Sequence, residues 1–323
     1  MKFIKVLYQI INNFNYVGWW FFKSTNKDRI KLENLYRFFR KKEFMDRKNI
    51  YKYISNEQID GIDEDVGFKK IAIKNEKIIK ALINIKSFEN TIDWEKYATF
   101  TAKQHLRIYH LNPDHFSEIK DIIFCKEILN PSIKYLNEIP ILQMAAIWYS
   151  PNSHTQKDSS QFYHIDGEST KQVRVIIPLK EVTSDCGPMH VISAKDSYNI
   201  LKKINFIKEN SISDRIPDEL FNSVKQHKLV GNFGDLFFLD TNRCYHYGSR
   251  PSSSSDIVKS RTLLSLTFGK YSNADMPFFF RNYDYNNSLE NLVLDPLRYG
   301  CLYLWKNKRY HYDLEGRFRS ISK

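Results

Sequence analysis

Gln161-Phe162-Tyr163-His164-Ile165-Asp166-Gly167, with His246 following 80 residues after Asp166, is the stretch on which the fold turns. Two imidazoles and one carboxylate can occupy one face of an octahedral ferrous ion and leave the opposite face open to substrate and oxygen. In an extended segment alternate side chains point the same way, so His164 and Asp166 can converge on one ion if they lie in a strand. His246 must then arrive from a strand far along the chain. A fold meets that demand when the chain returns to the same place, as it does in a double-stranded β-helix. A lone His-x-Asp pair is a weak signal, so the flanking sequence has to carry weight.

Ile141 to Tyr149, Val173 to Leu179, Asp235 to Leu239 and Arg261 to Phe268 are short apolar or β-branched runs separated by turn residues. That pattern predicts the strands of a barrel or jelly roll. Upstream, Leu32, Leu35, Tyr36 and Phe39 recur at helical spacing. Asn112-Pro113 reads as a helix start, with Phe116, Ile119, Ile123 and Leu129 continuing the apolar stripe, and another helix is expected from Trp94 to Leu106. The expected architecture is mainly β with a helical N-terminal part, its core a double-stranded β-helix (jelly roll, cupin-like) flanked by helices. Residues 1–135 read as mainly helical, 136–270 as the core with a helical insertion over 194–226, and 271–323 as a C-terminal wrap. With no internal repeat and no clear linker, 1–323 reads as a single domain.

Hydrophobic residues make up 42% of the chain and aromatic residues 15%, enough to bury a core and exclude general disorder. Cys125, Cys186, Cys244 and Cys301 show no Cys-x-x-Cys spacing, so neither a zinc ribbon nor a disulfide framework is expected, and a reducing, cytoplasmic location fits. Cys244, two residues before His246, can share its face or serve as a small buried thiol. The net charge is +12, and residues 1 to 60 hold 13 Lys and Arg against 6 Asp and Glu. Such a surplus attracts anions, whether a phosphorylated or carrier-bound substrate or lipid headgroups, unless it is merely a solvated surface. No nucleic-acid motif accompanies it. Polar residues interrupt the apolar patches of Met1 to Lys23, so neither a spanning helix nor a signal peptide is read there. Trp19-Trp20-Phe21-Phe22 leaves peripheral membrane contact open beside packing on the rest of the protein.

The core-forming segments occur in a telling order. After the His164 and Asp166 pair come Val173-Arg174-Val175-Ile176-Ile177-Pro178-Leu179, then Asp185-Cys186-Gly187-Pro188-Met189-His190-Val191-Ile192-Ser193, then Gly234-Asp235-Leu236-Phe237-Phe238-Leu239-Asp240, then Cys244-Tyr245-His246-Tyr247-Gly248-Ser249, with Arg261 fifteen residues after His246. Over roughly residues 140 to 270 this series resembles the phytanoyl-CoA dioxygenase family of iron(II)- and 2-oxoglutarate-dependent oxygenases. The resemblance implies that His164, Asp166 and His246 hold Fe(II). It implies that Arg261 pairs with the far carboxylate of 2-oxoglutarate, and that O2 is consumed as a small-molecule substrate is hydroxylated with release of succinate and CO2. Halogenating relatives replace the carboxylate ligand by a small residue, so Asp166 points to hydroxylation or a related oxidation. Two departures stand out: Val191-Ile192-Ser193-Ala194-Lys195-Asp196 replaces the family's proline-glycine-serine-histidine ending, and the gap from His246 to Arg261 is several residues longer than usual.

Each further residue has a plain reading beside the functional one. Arg261 can form a two-pronged pair with a carboxylate or simply begin a strand; Arg250 is its nearest competitor. Ser249, or Ser265 on the Arg261 strand, can add a hydroxyl to the same carboxylate. Arg174 faces away from Val173 and Val175, and becomes a candidate for an acidic substrate group if that face is interior. His190 reads as facing the substrate or supporting a ligand, and the remaining histidines as structural. Two other functions remain open from the residues alone: a non-catalytic jelly-roll binding protein, and a cupin-type metalloenzyme that does not use 2-oxoglutarate. The substrate and the oligomeric state are not legible.

Overall fold

Gln172–Pro178 forms a strand whose seven residues are all buried, because both of its faces are covered. Val173, Val175 and Ile177 point into one hydrophobic cluster and Ile176 into another. This two-sidedness organises the protein. The computed structural model describes residues 30–31, 33–34, 37–38, 41–55, 61–95, 106–113, 115–151, 159–166, 170–203, 216, 218–250, 260–271, 289–294, 310–312 and 318–320.

In chain order the strands are β1 (Phe68–Ala72), β2 (Arg107–His110), β3 (Ile141–Ser150), β4 (Gln172–Pro178), β5 (Met189–Val191), β6 (His227–Lys228), β7 (Asp235–Leu239), β8 (His246–Gly248), β9 (Arg261–Gly269), β10 (Tyr310–Tyr312) and β11 (Phe318–Ser320). Six of them form a sheet in the order β1-β7-β4-β9-β3-β2, and three form a second sheet in the order β6-β5-β8. All these pairings are antiparallel. A bridge between His164 and His246 extends the small sheet beyond β8, and a bridge between Tyr163 and Ile216 extends it once more. From β3 onward the chain alternates between the sheets: β3 in the large one, His164 in the small, β4 in the large, β5 and β6 in the small, then β7, β8 and β9 in turn. That alternation brings His164 and His246 side by side although 81 positions separate them.

Helices cover the outer face of the large sheet. They are α1 (Lys41–Ser55), α2 (Glu76–Glu89), α3 (Ser117–Ile123) and α4 (Lys126–Leu136); α5 (Ala194–Lys203) and α6 (Leu289–Val293) follow later in the chain. Asn75 caps α2 by accepting the Lys77 and Ile78 amides, and Ile78, Ala81, Leu82 and Ile85 recur on its buried side. They pack with Ile119, Ile122, Ile128, Leu129 and Ile133 against Val173, Val175, Leu264, Leu266, Leu236 and Phe238 of the sheet. At about 1.5–3 kcal/mol for each large apolar side chain fully buried, this layer is the main source of stability. Between the sheets lies a smaller cluster of Ile176, Phe237, Leu239 and Leu263 facing Met189 and Val191. A third cluster, Tyr163, Ile192, Ile200, Ile216, Phe221 and Tyr245, lies on the far side of the small sheet.

The four expected core strands are present with their ends moved by at most a residue or two. The described N-terminal part carries strands as well as the helices expected there. It is not only helical, for it supplies β1 and β2, the two edges of the large sheet. β1 reads Phe-Lys-Lys-Ile-Ala, too short and too charged to signal a strand without its partner β7. The helix expected from Asn112-Pro113 begins instead at Ser117, because the His115 and Phe116 amides both bond to the Asn112 carbonyl and close a turn. It stops at Ile123 and restarts at Lys126, with Pro131 inside α4. Leu32, Leu35, Tyr36, Phe39, Trp19 to Phe22, residues 96–105, most of the wrap over 271–323 and residues 204–215 of the insertion lie outside the described residues. Among the described residues, no helix is long and apolar enough to cross a membrane.

A buried polar network ties α4 to the turn between β7 and β8. The Tyr135 hydroxyl donates to Asp240 Oδ2 at 2.8 Å, and the Gln172 and Asn242 amides donate to Oδ1 at 3.4 and 3.1 Å. Arg243 reaches the Tyr135 hydroxyl and Glu64. Gly67, with φ +76°, packs against this turn; a Cβ there would stand 2.5 Å from Cys244 Sγ, so only glycine fits. Burial pushes the Asp240 carboxyl up to about 6, against the pull of Tyr135 and Arg243. Between about 4 and 6 the folded chain therefore holds a proton that the unfolded chain has released, and this group's contribution to stability falls as pH rises through that window. Asp240→Asn, which keeps an acceptor for Tyr135, is expected to flatten that part of the stability profile. Urea unfolding at pH 4.5 and pH 7 measures the difference, and an identical pH dependence in both proteins would contradict it.

Candidate metal centre

His164 and His246 exchange two main-chain hydrogen bonds, of 3.1 and 3.0 Å, across the bridge between their strands. Residues paired in this way project side chains to the same side of a sheet, and the two ring centroids lie 4.3 Å apart. Each ring is held at its rear nitrogen. His164 Nδ1 lies 2.9 Å from the Phe162 carbonyl and His246 Nδ1 3.0 Å from the Cys244 carbonyl. A carbonyl can only accept, so both rings carry their proton on Nδ1 and present the Nε2 lone pair forward, the tautomer a metal ligand needs.

Asp166 completes the group. Its amide donates to the Thr241 carbonyl at 2.8 Å, which fixes the main chain two residues beyond His164 against the β7–β8 turn. Its Oδ1 lies 3.7 Å from His164 Nε2 and its Oδ2 3.8 Å from His246 Nε2. These separations are too long for hydrogen bonds. The three ligand atoms all lie within 4.8 Å of one another, an arrangement that can hold one metal ion. Burial alone would push the Asp166 carboxyl up; the Arg174 guanidinium first, and either imidazole whenever it is protonated, overcome this and hold it well below the usual range. It is therefore an anion at neutral pH, and two neutral imidazoles with one carboxylate suit a divalent first-row cation.

Arg261 stands at the start of β9 with its side chain on the same face as Leu263, between the sheets. Its Nη1 donates to the Gly187 carbonyl and its Nη2 to Ser150 Oγ at 3.3 Å, while its buried Nε has no hydrogen-bond partner among the described residues. Both acceptors are neutral. Burial lowers the guanidinium to about 10, which leaves it charged at neutral pH with no carboxylate paired to it among the described residues. Gly248 lies two residues after His246 on β8, so the two share a side. A Cβ on Gly248 would meet Arg261 Nη2 at 3.5 Å, which places the guanidinium on the metal-facing side of β8. Ser265, two positions beyond Leu263, adds a buried hydroxyl with no partner among the described residues, and Trp148 adds a buried indole N–H in the same condition.

The other expected site residues separate into near and far. Arg174 is at the centre: its Nη2 lies 3.0 Å from Asp166 Oδ2, its Nε 3.4 Å from Thr267 Oγ1, and its guanidinium 5.0 Å from the Trp148 ring. The acidic group that it meets is thus Asp166. His190 requires correction. Val191 is in register with His246 and His190 with Tyr247, so alternation turns His190 to the opposite face of the small sheet, where its Nδ1 lies 3.2 Å from the Tyr247 hydroxyl. Ser249 donates its hydroxyl to the Pro188 carbonyl at 2.6 Å, which employs it in the turn of Gly187 and Pro188. Arg250 bonds to the Gln161 side chain. Cys244 turns its thiol toward the Val66 carbonyl at 3.6 Å, and burial pushes that thiol well up, so it stays an inert packing group.

No family model matches the chain, and no curated protein matches it. Among solved structures, HygX from Streptomyces hygroscopicus with nickel and 2-oxoglutarate bound is 15% identical, with a TM-score of 0.43 over 68% of this chain and 88% of that one. The non-heme α-ketoglutarate-dependent epimerase SnoN from nogalamycin biosynthesis is 12% identical, with a TM-score of 0.46 over 64% of this chain and 79% of that one. EctD from S. alaskensis with 2-oxoglutarate and 5-hydroxyectoine is also 12% identical, with a TM-score of 0.45 over 65% and 74%. Likeness at this level leaves the chemistry of the site to its own geometry.

Proposed function

We propose that the protein is an Fe(II)- and 2-oxoglutarate-dependent oxygenase of the phytanoyl-CoA dioxygenase type that hydroxylates a small molecule, its 323 residues one domain around a double-stranded β-helix. The observation that carries this reading is the pairing of a His164, Asp166 and His246 cluster with a charged Arg261 that has no acid beside it. A buried donor without a partner costs about 1–3 kcal/mol, and Arg261 Nε, Ser265 Oγ and Trp148 Nε1 are all of this kind. An acceptor-rich anion between the sheets relieves all three, and a dicarboxylate has one end for the metal and one for Arg261. The alternation of segments between two antiparallel sheets supports the double-stranded β-helix.

Bound iron with 2-oxoglutarate would supply the oxidation, in which one O2 and one 2-oxoglutarate become succinate, CO2 and the hydroxyl added to substrate carbon. The chain's part is positional. His164 and His246 present Nε2, Asp166 brings the balancing charge, and Arg261 with Ser265 would bind the distal carboxylate. Ile176, Phe237, Leu239 and Leu263 line the space between the sheets with apolar surface that keeps water out. The basic N-terminal segment fits an anionic or carrier-bound substrate.

The test is anaerobic addition of Fe(II) and then 2-oxoglutarate to the purified protein, followed by aerobic screening of metabolites for stoichiometric succinate. A weak visible charge-transfer band that needs both additions is expected. Metal binding with no response to 2-oxoglutarate would favour a cupin-type enzyme, and no metal binding would favour a binding protein.

A further inference from the structure

We infer that the substrate of this site is a small carboxylic acid whose carboxylate is received by Arg174, an inference that rests on the iron and 2-oxoglutarate reading above. Arg174 stands on β4, two residues before Ile176 and on the same face, so its side chain enters the space between the sheets, where only 9% of its surface is exposed. Its plane is set from two sides. Nε donates to Thr267 Oγ1 at 3.4 Å, and the guanidinium carbon lies 5.0 Å from the centre of the Trp148 ring. Asp166 is its neighbour rather than its hydrogen-bond acceptor: Nη2 lies 3.0 Å from Asp166 Oδ2, yet that oxygen receives no hydrogen bond among the described residues. The contact is an ion pair whose N–H bonds are aimed elsewhere, and no other described acceptor takes the N–H groups on Nη1 and Nη2. The guanidinium thus offers its two-nitrogen edge, beside the metal site, to an acceptor that the described chain does not supply.

Charge indicates what kind of acceptor this is. On the described strands that border the space, the charged side chains turned inward are Arg174, Arg261, Lys70 and Asp235, and the last two neutralise each other at 2.9 Å. Asp166 offsets one of the two guanidinium groups, the imidazoles are neutral, and one positive charge is left over. A divalent cation and the doubly charged 2-oxoglutarate would cancel each other, so loading the site leaves that excess where it was. Buried charge without a counter-charge is costly, and one singly charged acid on the substrate removes the cost. A carboxylate suits better than a phosphate, which carries about two charges, and its two oxygens match the guanidinium fork. Once Asp166 serves a cation its attraction for Arg174 weakens, and the guanidinium is freed for the substrate. The oxidised carbon then lies close to the acid, since Arg174 and the metal site have Asp166 in common.

The experiment loads metal-free protein with Co(II) and then, without O2, with saturating 2-oxoglutarate, so that Arg261 is occupied. The loaded protein is titrated by calorimetry with benzoate, phenylacetate and butyrate, with the primary amides of the same acids, and with phenyl phosphate. The best of the carboxylates should bind at least about tenfold tighter than its amide, the size of one hydrogen bond to a charged group. In Arg174→Met that margin should shrink to about threefold or less, and Arg174→Lys should recover part of it, because an ammonium keeps the charge without the fork. Thermal melting of the loaded proteins checks that folding is retained; should Arg174→Met fail to fold or load, Arg174→Lys and Arg174→Gln carry the comparison. Carboxylates that bind no tighter than amides in the loaded wild type, absence of binding by every probe included, would overturn the inference. So would a margin that persists in Arg174→Met, which would assign the acid to the metal or to another basic group, or phenyl phosphate binding tighter than each carboxylate. All of these leave the iron and 2-oxoglutarate reading in place. A wild type that takes up no Co(II), or Co(II) without 2-oxoglutarate, would overturn that reading and this inference with it.

Discussion

Asp166→Ala is expected to reduce 2-oxoglutarate turnover to background and, unlike His246→Ala, to weaken the fold as well. The first effect follows from removing the only carboxylate of the three ligands. The second follows from Arg174, which at 9% relative exposure would keep its charge with no acid beside it. Removing one partner of a buried pair costs about 3–5 kcal/mol, and the residual exposure here brings that toward about 3. His246→Ala removes a neutral ring and leaves no such charge. Succinate release measures the first effect and urea unfolding the second. A double variant, Asp166→Ala with Arg174→Met, should regain most of the stability and none of the turnover. Full activity in Asp166→Ala would remove the proposed mechanism, and equal stabilities for Asp166→Ala and His246→Ala would show that the Arg174 pair contributes nothing.

The second large effect concerns the cosubstrate. Arg261→Ala should raise the KM for 2-oxoglutarate by about tenfold to a hundredfold, the size of a lost hydrogen bond to a charged group at about 1.5–3 kcal/mol. Co(II) affinity should change by less than about threefold, since the guanidinium contacts Gly187 and Ser150 rather than the ligands. Arg261→Lys should recover only part of the loss, because an ammonium cannot span two acceptors as the fork does. Arg250→Ala is the control, its side chain being engaged by Gln161. An unchanged KM in Arg261→Ala with a raised one in Arg250→Ala would transfer the role to Arg250.

The three residues of the candidate metal centre stood out in the sequence because the signal is local: His164 and Asp166 lie within three residues of each other, and His246 is framed by aromatic residues and a glycine. Long apolar runs such as Val173 to Pro178 likewise signal a buried strand in any context. The short strands were not legible. β5, β6 and β8 have three, two and three residues, and become strands only through partners far along the chain. His190 was misplaced for that reason, since its facing depends on a one-residue register with Tyr247 that no local pattern encodes. Thr241 and Gln172 are common polar residues that meet only when the β7–β8 turn folds over β4. The alternation around Arg174 set its face apart from that of Val173 and Val175 but left open whether that face was interior; the fold turns it inward, beside Asp166.

The placement of β1 and β2 at opposite edges of the large sheet bears on how the protein is made. Both strands leave the ribosome early, yet β1 pairs with β7 more than 160 positions later, and β2 with β3 about 40 positions later. Loop closure over such distances comes before any contact rewards it, so the topology favours slow folding. Lys69 and Lys70 put charge on this edge strand, a feature that disfavours edge-to-edge pairing with other chains. A chain cut to begin at residue 136 would keep every proposed metal ligand but would lack both edge strands, leaving the main-chain groups of β7 and β3 open to aggregation. The smallest unit expected to resist aggregation is therefore larger than the part of the two sheets that carries the proposed ligands.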